Sequence, residues 1–245
     1  FAQAMKELGL DREKLVIQSK CGIRKGFFDF SKEHILDSVD GILSRLQIDY
    51  LDLLALHRPD ALMEAEEVAE AFRTLRESGK VRHFGVSNQN RYQMELLQSY
   101  LDEPLVVNQL QLSPAHTPMI DTGFHVNMKD DADTMRDGGI LEYRQLNQVT
   151  PQAWSPFLIS LQEGIFAGHP DYEELNSTIL HYAEDYGVAA EAIVVAWILR
   201  HPAKIQTIVG SMNPERLTKI VQAFDVQLTR EQWYHIYRSA GNILP

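Results

Sequence analysis

The chain has 245 residues, 44% of them hydrophobic and 23% charged, the proportions of a globular protein with one large core. Its formal charge of -11 disfavours nucleic acid and anionic membrane surfaces, so an anionic ligand requires a local basic pocket, and no apolar run approaches the ~18 residues of a membrane span. A single cysteine, Cys21, excludes an internal disulfide and a cysteine-based metal site, and fits a reducing, cytoplasmic compartment.

Phe1, Ala4, Met5 and Leu8 share one helix face closed by Gly9, with no capping residue ahead, so the chain reads as beginning inside a helix with an upstream piece absent. Leu15 to Cys21 is a first strand that turns polar at Ser19 and Lys20 before Gly22 breaks it. Ser31 caps a helix through Ile35, Val39, Ile42 and Leu46. The second strand, Leu51 to Leu56, is too continuously apolar to have a wet face. Pro59 forbids its continuation, which leaves His57 at its carboxyl end. A helix through Val68, Phe72 and Leu75 leads to the third strand, Val81 to Val86, which ends in Ser87-Asn88. Next come a helix carrying Met94 and Leu97, then a fourth strand, Leu105 to Leu112, with Asn108-Gln109 embedded in it.

Ser113 to Gly138 reads mostly as loop, and the acidic residues Asp130, Asp131 and Asp133 match no calcium-loop spacing, so no metal site is expected. A helix over Ile140 to Leu146 precedes the fifth strand, Gln152 to Trp154, followed by Ser155-Pro156. Leu158 to Pro170 carries glycines at 164 and 168 and reads as a mobile cover. Helices through Leu175 to Gly187 and Glu191 to Arg200 lead to the sixth strand, Ile205 to Val209. Gly210-Ser211-Met212-Asn213 opens a helix with Pro214 in its first turn, and Thr229 with Gln232 forms a capping box for the last. Six strands alternating with helices describe a βα-repeat α/β fold, in which right-handed crossovers gather the polar strand ends on one face.

Lys20 and His57 end consecutive strands, and neighbouring strands lie about 4.8 Å apart, so both can serve one pocket. Each also has a plain reading, Lys20 as a cation reaching out of a strand end and His57 as an imidazole bonded to nearby backbone. Ser87 and Asn88 read either as helix caps or as ligand contacts, Gln109 as a core hydrogen bond or a contact, and Trp154 as core or a stacking face. Ser211, Asn213 and Arg216 surround a helix N-terminus whose amides suit a phosphate, with a guanidinium one turn away. No glycine-rich dinucleotide fingerprint follows a strand.

Taken as a set, Ser-Lys-Cys-Gly at 19–22, Leu-Asp-Leu-Leu-Ala-Leu-His at 51–57, Gly-Lys-Val-Arg-His-Phe-Gly-Val-Ser-Asn at 79–88, Asn-Gln at 108–109, Trp-Ser-Pro at 154–156 and Gly-Ser-Met-Asn-Pro-Glu-Arg at 210–216 resemble the aldo-keto reductase family. The resemblance implies a TIM (β/α)8-type barrel, with six of the eight βα units visible and residues 1–245 forming a single, N-terminally incomplete domain. It implies NADP(H) as cofactor, a small-molecule carbonyl substrate, and reduction of an aldehyde or ketone to an alcohol by hydride transfer. Lys20 and His57 match the catalytic lysine and histidine. Ser87, Asn88 and Gln109 match the contacts to the nicotinamide carboxamide, and Trp154 the ring that stacks on nicotinamide. Ser211, Asn213 and Arg216 match the 2′-phosphate and adenosine contacts, while Ser155 and Gly210 belong to the same cofactor-binding motifs.

Ile220 replaces an asparagine often found at its position. The family's aspartate and tyrosine, the latter its general acid, belong to the two expected front units, so this chain alone is expected to turn over slowly. A rival reading keeps the fold and the cofactor but makes the protein a non-catalytic NADP-binding subunit that senses redox state. Neither the substrate nor the oligomeric state is written in the sequence.

Overall fold

Strands form here where apolar residues run without interruption, and helices where they recur every three or four residues. The computed structural model describes residues 1–124 and 138–242, and the chain divides into two compact units, Phe1–Asn108 and Gln109–Pro245.

The first unit runs α1 (Ala2–Glu7), β1 (Gln18–Cys21), a hairpin of β2 (Ile23–Arg24) and β3 (Phe27–Phe28), α2 (Lys32–Leu46), β4 (Leu51–Leu56), α3 (Ala65–Glu77), β5 (Val81–Ser87), α4 (Arg91–Gln98) and the start of β6 (Leu105–Gln111). Adjacent strands follow the order β1, β4, β5, β6. The pairings of β1 with β4 and of β4 with β5 are parallel. All six residues of β4 are buried, which is why its sequence lacks the polar alternation of a half-wet strand. Ser31 caps α2 through the His34 amide, and α2 buries Ile35, Val39, Ile42 and Leu43. On α3, Phe72 stacks on Phe84 of β5 with ring centroids 4.0 Å apart. The face expected of α1 is formed but buries nothing.

At the amino end of β4, Asp52 accepts from the Ile17 amide at 2.8 Å and pairs with Arg12 at 2.7 Å and Arg82 at 3.2 Å. Burial pushes its pKa up, and the Ile17 amide and the two arginines outweigh that, so the carboxyl stays below its ordinary range. Both guanidiniums also lie 3.9 Å from the Tyr50 ring centroid, one of several ties between β1, β4 and β5 at the end away from His57.

The second unit contains the end of β6, then α5 (Pro118–Phe124), α6 (Ile140–Leu146), β7 (Thr150–Trp154), β8 (Leu158–Ser160), β9 (Gly164–Ile165), α7 (Glu173–Tyr186), α8 (Ala190–Leu199), β10 (Gln206–Ile208), α9 (Pro214–Val221) and α10 (Arg230–Ser239). Here β7 lies between the end of β6 and β10, and its pairing with β10 is parallel. Helix α8 is apolar on every side and buried from Ala192 to Ile198. Its Trp197 stacks on Trp233 of α10 at 4.9 Å, and each indole N–H donates to the other residue's carbonyl. No helix among the described residues is long and apolar enough to cross a membrane.

Two segments differ from the sequence reading. Part of the expected loop at 113–138 is helix α5, held by the Tyr237 hydroxyl, which donates to Asp121 at 2.6 Å; Asp130, Asp131 and Asp133 lie outside the described residues. The expected mobile cover at 158–170 contains the β8–β9 hairpin, with Ile159 and Phe166 buried. Its backbone is also tied down, since Ser113 Oγ donates to the Leu158 carbonyl and Gln111 Nε2 to that of Ile159. Glycine spacing suggested freedom, but the apolar residues between the glycines pack.

Gly85 of β5 lies against β6, where an added Cβ would fall 2.8 Å from the Val107 carbonyl oxygen and collide with Val107 Cγ2. Gly85→Val is expected to lower unfolding free energy by about 1–3 kcal/mol, read as a lower urea midpoint. An unchanged midpoint would show that β5 and β6 are not so closely packed.

Candidate active site

Residue pairing between β1 and β4 positions the first group of site residues. Lys20 pairs with Ala55, and its chain neighbour Cys21 with Leu56. His57 follows two residues after Ala55, so the strand period directs Lys20 and His57 to the same face. The His57 amide donates to the Cys21 carbonyl at 2.9 Å, extending the pairing one residue past β4 and fixing the histidine at the strand end. Burial lowers the imidazole pKa to about 4, with the Lys20 and Arg58 charges adding to the effect. Burial first, and Arg58 second, also lowers the pKa of Lys20. His57 is therefore a neutral donor near pH 7, set beside two cations. Arg58 adjoins His57 but gives no sequence signal, because its influence on His57 and Lys20 is electrostatic and exists only in the folded chain. The Cys21 thiol is buried and pushed up to about 12, which makes it an inert core group.

Ser87 ends β5 fully buried, and Asn88 follows with φ of 57°, a left-handed conformation that asparagine tolerates well. Asn88 Nδ2 donates to Ser87 Oγ at 2.8 Å. Neither residue caps α4. Asn90 does, in a capping box with Gln93, which removes the plain reading of Ser87 and Asn88. Beside them, Asn108 is wholly buried and donates to the Gln89 carbonyl at 2.7 Å.

In the second unit, Gln109 is buried and its Nε2 donates to Gln152 Oε1 at 3.2 Å, while Gln152 Nε2 donates to Gln206 Oε1 at 2.9 Å. A run of carboxamides thus crosses β6, β7 and β10, and the core reading of Gln109 is realised on its nitrogen. Gln152 and Gln206 gave no sequence signal, because only strand register brings them together. Trp154 is half-buried at the end of β7, and Ser155 adopts φ of 51°, an uncommon conformation for a residue other than glycine. Residues forced into such conformations concentrate at functional sites.

Asn213 is the N-cap of α9, and its Oδ1 accepts from the amides of Glu215 at 2.9 Å and Arg216 at 3.4 Å. Pro214 has no N–H to offer. The expectation of outward-facing amides is not met, because Asn213 satisfies those of Glu215 and Arg216 within the first turn. Ser211 Oγ accepts from the Asn213 amide at 3.2 Å, and among the described residues the Arg216 guanidinium has no ion-pair partner. An added Cβ at Gly210 would meet no atom of the chain, so packing does not account for that glycine. Ile220 is buried in the core of this unit.

With this geometry in place, comparison with known proteins identifies the class: residues 1–239 match the model of the Aldo/keto reductase family, and the chain belongs to that family. It is 37% identical over 249 residues to Oxidoreductase YdhF of Escherichia coli (strain K12), covering 98% of this chain and 77% of that protein. Identity to the 6-dehydroglucose reductase of Agrobacterium fabrum is 35% over 240 residues, covering 94% and 73% respectively. Among solved structures, the thermostable aldo-keto reductase Tm1743 in complex with the inhibitor epalrestat superposes with a TM-score of 0.75 at 27% identity, over 97% of this chain and 75% of that one.

The His57 imidazole is expected to stay neutral on acidification to about pH 4, below the ordinary value of 6.5, when followed by NMR. Lys20→Met should raise that pKa without fully restoring it, because burial remains the larger cause. Between these two pH values the unfolded chain takes up the proton and the folded chain does not, so stability rises with pH across the window. A His57 resonance that titrates near 6.5 would contradict the described environment.

Proposed function

We propose that the protein is an NADP(H)-dependent carbonyl reductase on a (β/α)8-type aldo-keto reductase fold, reducing an aldehyde or ketone to an alcohol. The carrying observation is the pair of strand-end groups, Lys20 and a His57 kept neutral by burial and by neighbouring cations. A neutral imidazole donates one N–H to a carbonyl oxygen and so orients the substrate. Lys20 places positive charge where the oxygen becomes alkoxide-like, a preorganised electrostatic stabilisation that strengthens as charge develops. By family resemblance, Lys20 also lowers the pKa of a tyrosine general acid.

The residues fit the cofactor. Arg216 is exposed and suited to a phosphate monoester, Ser211 lies beside it, and Gly210 leaves room for close approach. By family resemblance, Ser87 and Asn88 in the first unit match contacts to the nicotinamide carboxamide, and in the second unit Gln109 matches such a contact and Trp154 a stacking ring. Once bound, NADPH supplies the hydride. Glu215, in the same turn as Arg216, disfavours an anion and makes the guanidinium the decisive charge.

Arg216→Glu is expected to weaken NADPH binding about tenfold or more, with little change for NADH, in a fluorescence titration. In a preparation that reduces carbonyls, Lys20→Met should abolish turnover and leave the NADPH affinity unchanged. Cofactor binding without reduction of any carbonyl would favour the non-catalytic redox-sensing reading instead.

A further inference from the structure

Within the second unit, helices α5, α6 and α10 and the residues that end α8 border a cavity of about 280 Å³. That is the small end of the range for ligand sites, which commonly hold ~300–1,000 Å³. One wall is aromatic. Trp233 is buried and held in place, stacked on Trp197 and donating its indole N–H to the Trp197 carbonyl at 2.9 Å. Tyr234 stands edge-on to it, with ring centroids 5.1 Å apart, and the Phe124 ring lies 6.1 Å from that of Tyr234. Both outer rings are half-buried, so they offer surface that the core does not use.

The rest of the lining is cationic. Arg200 Nε donates to the Leu228 carbonyl at 2.9 Å, which fixes the side chain and leaves its Nη groups without a partner among the described residues. Arg230 opens α10, and among the described residues it too has no ion-pair partner; its chain neighbour Glu231 does not line the cavity. His201 Nδ1 accepts from the Ala203 amide at 3.1 Å, so its neutral ring carries the proton on Nε2 and is a donor. Burial favours that neutral form, against the opposing influence of the Glu142 charge. Glu142 is the one carboxylate among the described lining residues, set against two guanidiniums, in a chain whose formal charge is -11. A local excess of positive charge beside aromatic rings disfavours a cation and suits an anion with a flat apolar body.

We propose that this cavity binds a small aromatic carboxylate of one or two rings, the ring against Tyr234 and Phe124 and the carboxylate held by Arg200 and Arg230. Guanidiniums match a carboxylate in shape as well as charge, and the cavity's volume excludes a larger ligand. The site is independent of the reductase reading, since none of its residues belongs to the substrate or cofactor motifs.

The test titrates the full chain by calorimetry with 2-naphthoate, using 2-naphthalenemethanol as the neutral analogue and tetramethylammonium as the cationic probe. Saturable binding of 2-naphthoate at about 1 mM or tighter is expected, with the alcohol about tenfold weaker and no binding of the ammonium ion. Arg230→Gln breaks no bond of the folded chain and should weaken 2-naphthoate about tenfold, as should Arg200→Gln, with unchanged urea midpoints as the check on folding. Tyr234→Ala should weaken the acid and the alcohol alike, and His57→Gln should change neither. Binding that survives Arg230→Gln but is lost in His57→Gln would place the acid with the strand-end groups and overturn the proposal. Equal affinity for acid and alcohol, preference for the ammonium ion, or no binding of 2-naphthoate by the folded chain would overturn it as well.

Discussion

The pairing of Gln18–Cys21 with Leu51–Leu56 is the constraint on which the unit carrying Lys20 and His57 depends. The parallel register sets Gln18, Ser19, Lys20 and Cys21 beside Leu53, Leu54, Ala55 and Leu56, and all six residues of Leu51–Leu56 are buried. The same register places Lys20 opposite Ala55, two residues before His57, and so sets the electrostatics of both groups. At the far end of the strand, Asp52 binds Arg12, Arg82 and the Ile17 amide, contributing to the register from below. Core packing and site chemistry are therefore specified by the same few residues.

Electrostatics near His57 follow from burial more than from any designed ion pair. A half-buried imidazole beside two cations has little reason to take a third charge, and remains neutral where a solvent-exposed histidine would begin to titrate. Lys20 experiences the same environment, which keeps its proton less tightly held than usual. In the second unit the logic changes from burial to exposure: Arg216 stays in water at the start of α9, while Asn213 is consumed by capping. A binding role for Asn213 has to share its side chain with the helix it begins.

Much of this was legible in the sequence because it follows local rules. The Ser31 cap, the Thr229–Gln232 capping box, Gly187 at the end of α7 and the continuous burial of Leu51–Leu56 all emerged as expected. What escaped depends on register or on tertiary packing. The Gln109–Gln152–Gln206 run joins residues from three strands, and Asp52 gathers partners from three segments. Helix α5 was read as loop because its seven residues include a glycine and begin with proline, and its stability comes from burial of Met119 and Ile120 and from the Tyr237–Asp121 bond. Arg58 was invisible for a different reason: a cation after a strand is ordinary until its neighbours are known.

The central claim is that Lys20 and His57 act as one unit, and a double-mutant cycle on carbonyl reduction tests it most directly. Lys20→Met, His57→Gln and the double variant would be compared in kcat, with NADPH affinity as the check that the fold and cofactor contacts persist. If the two groups work together, the double variant should be little worse than the more impaired single. Losses that simply multiply, or a kcat that survives either substitution, would contradict the account.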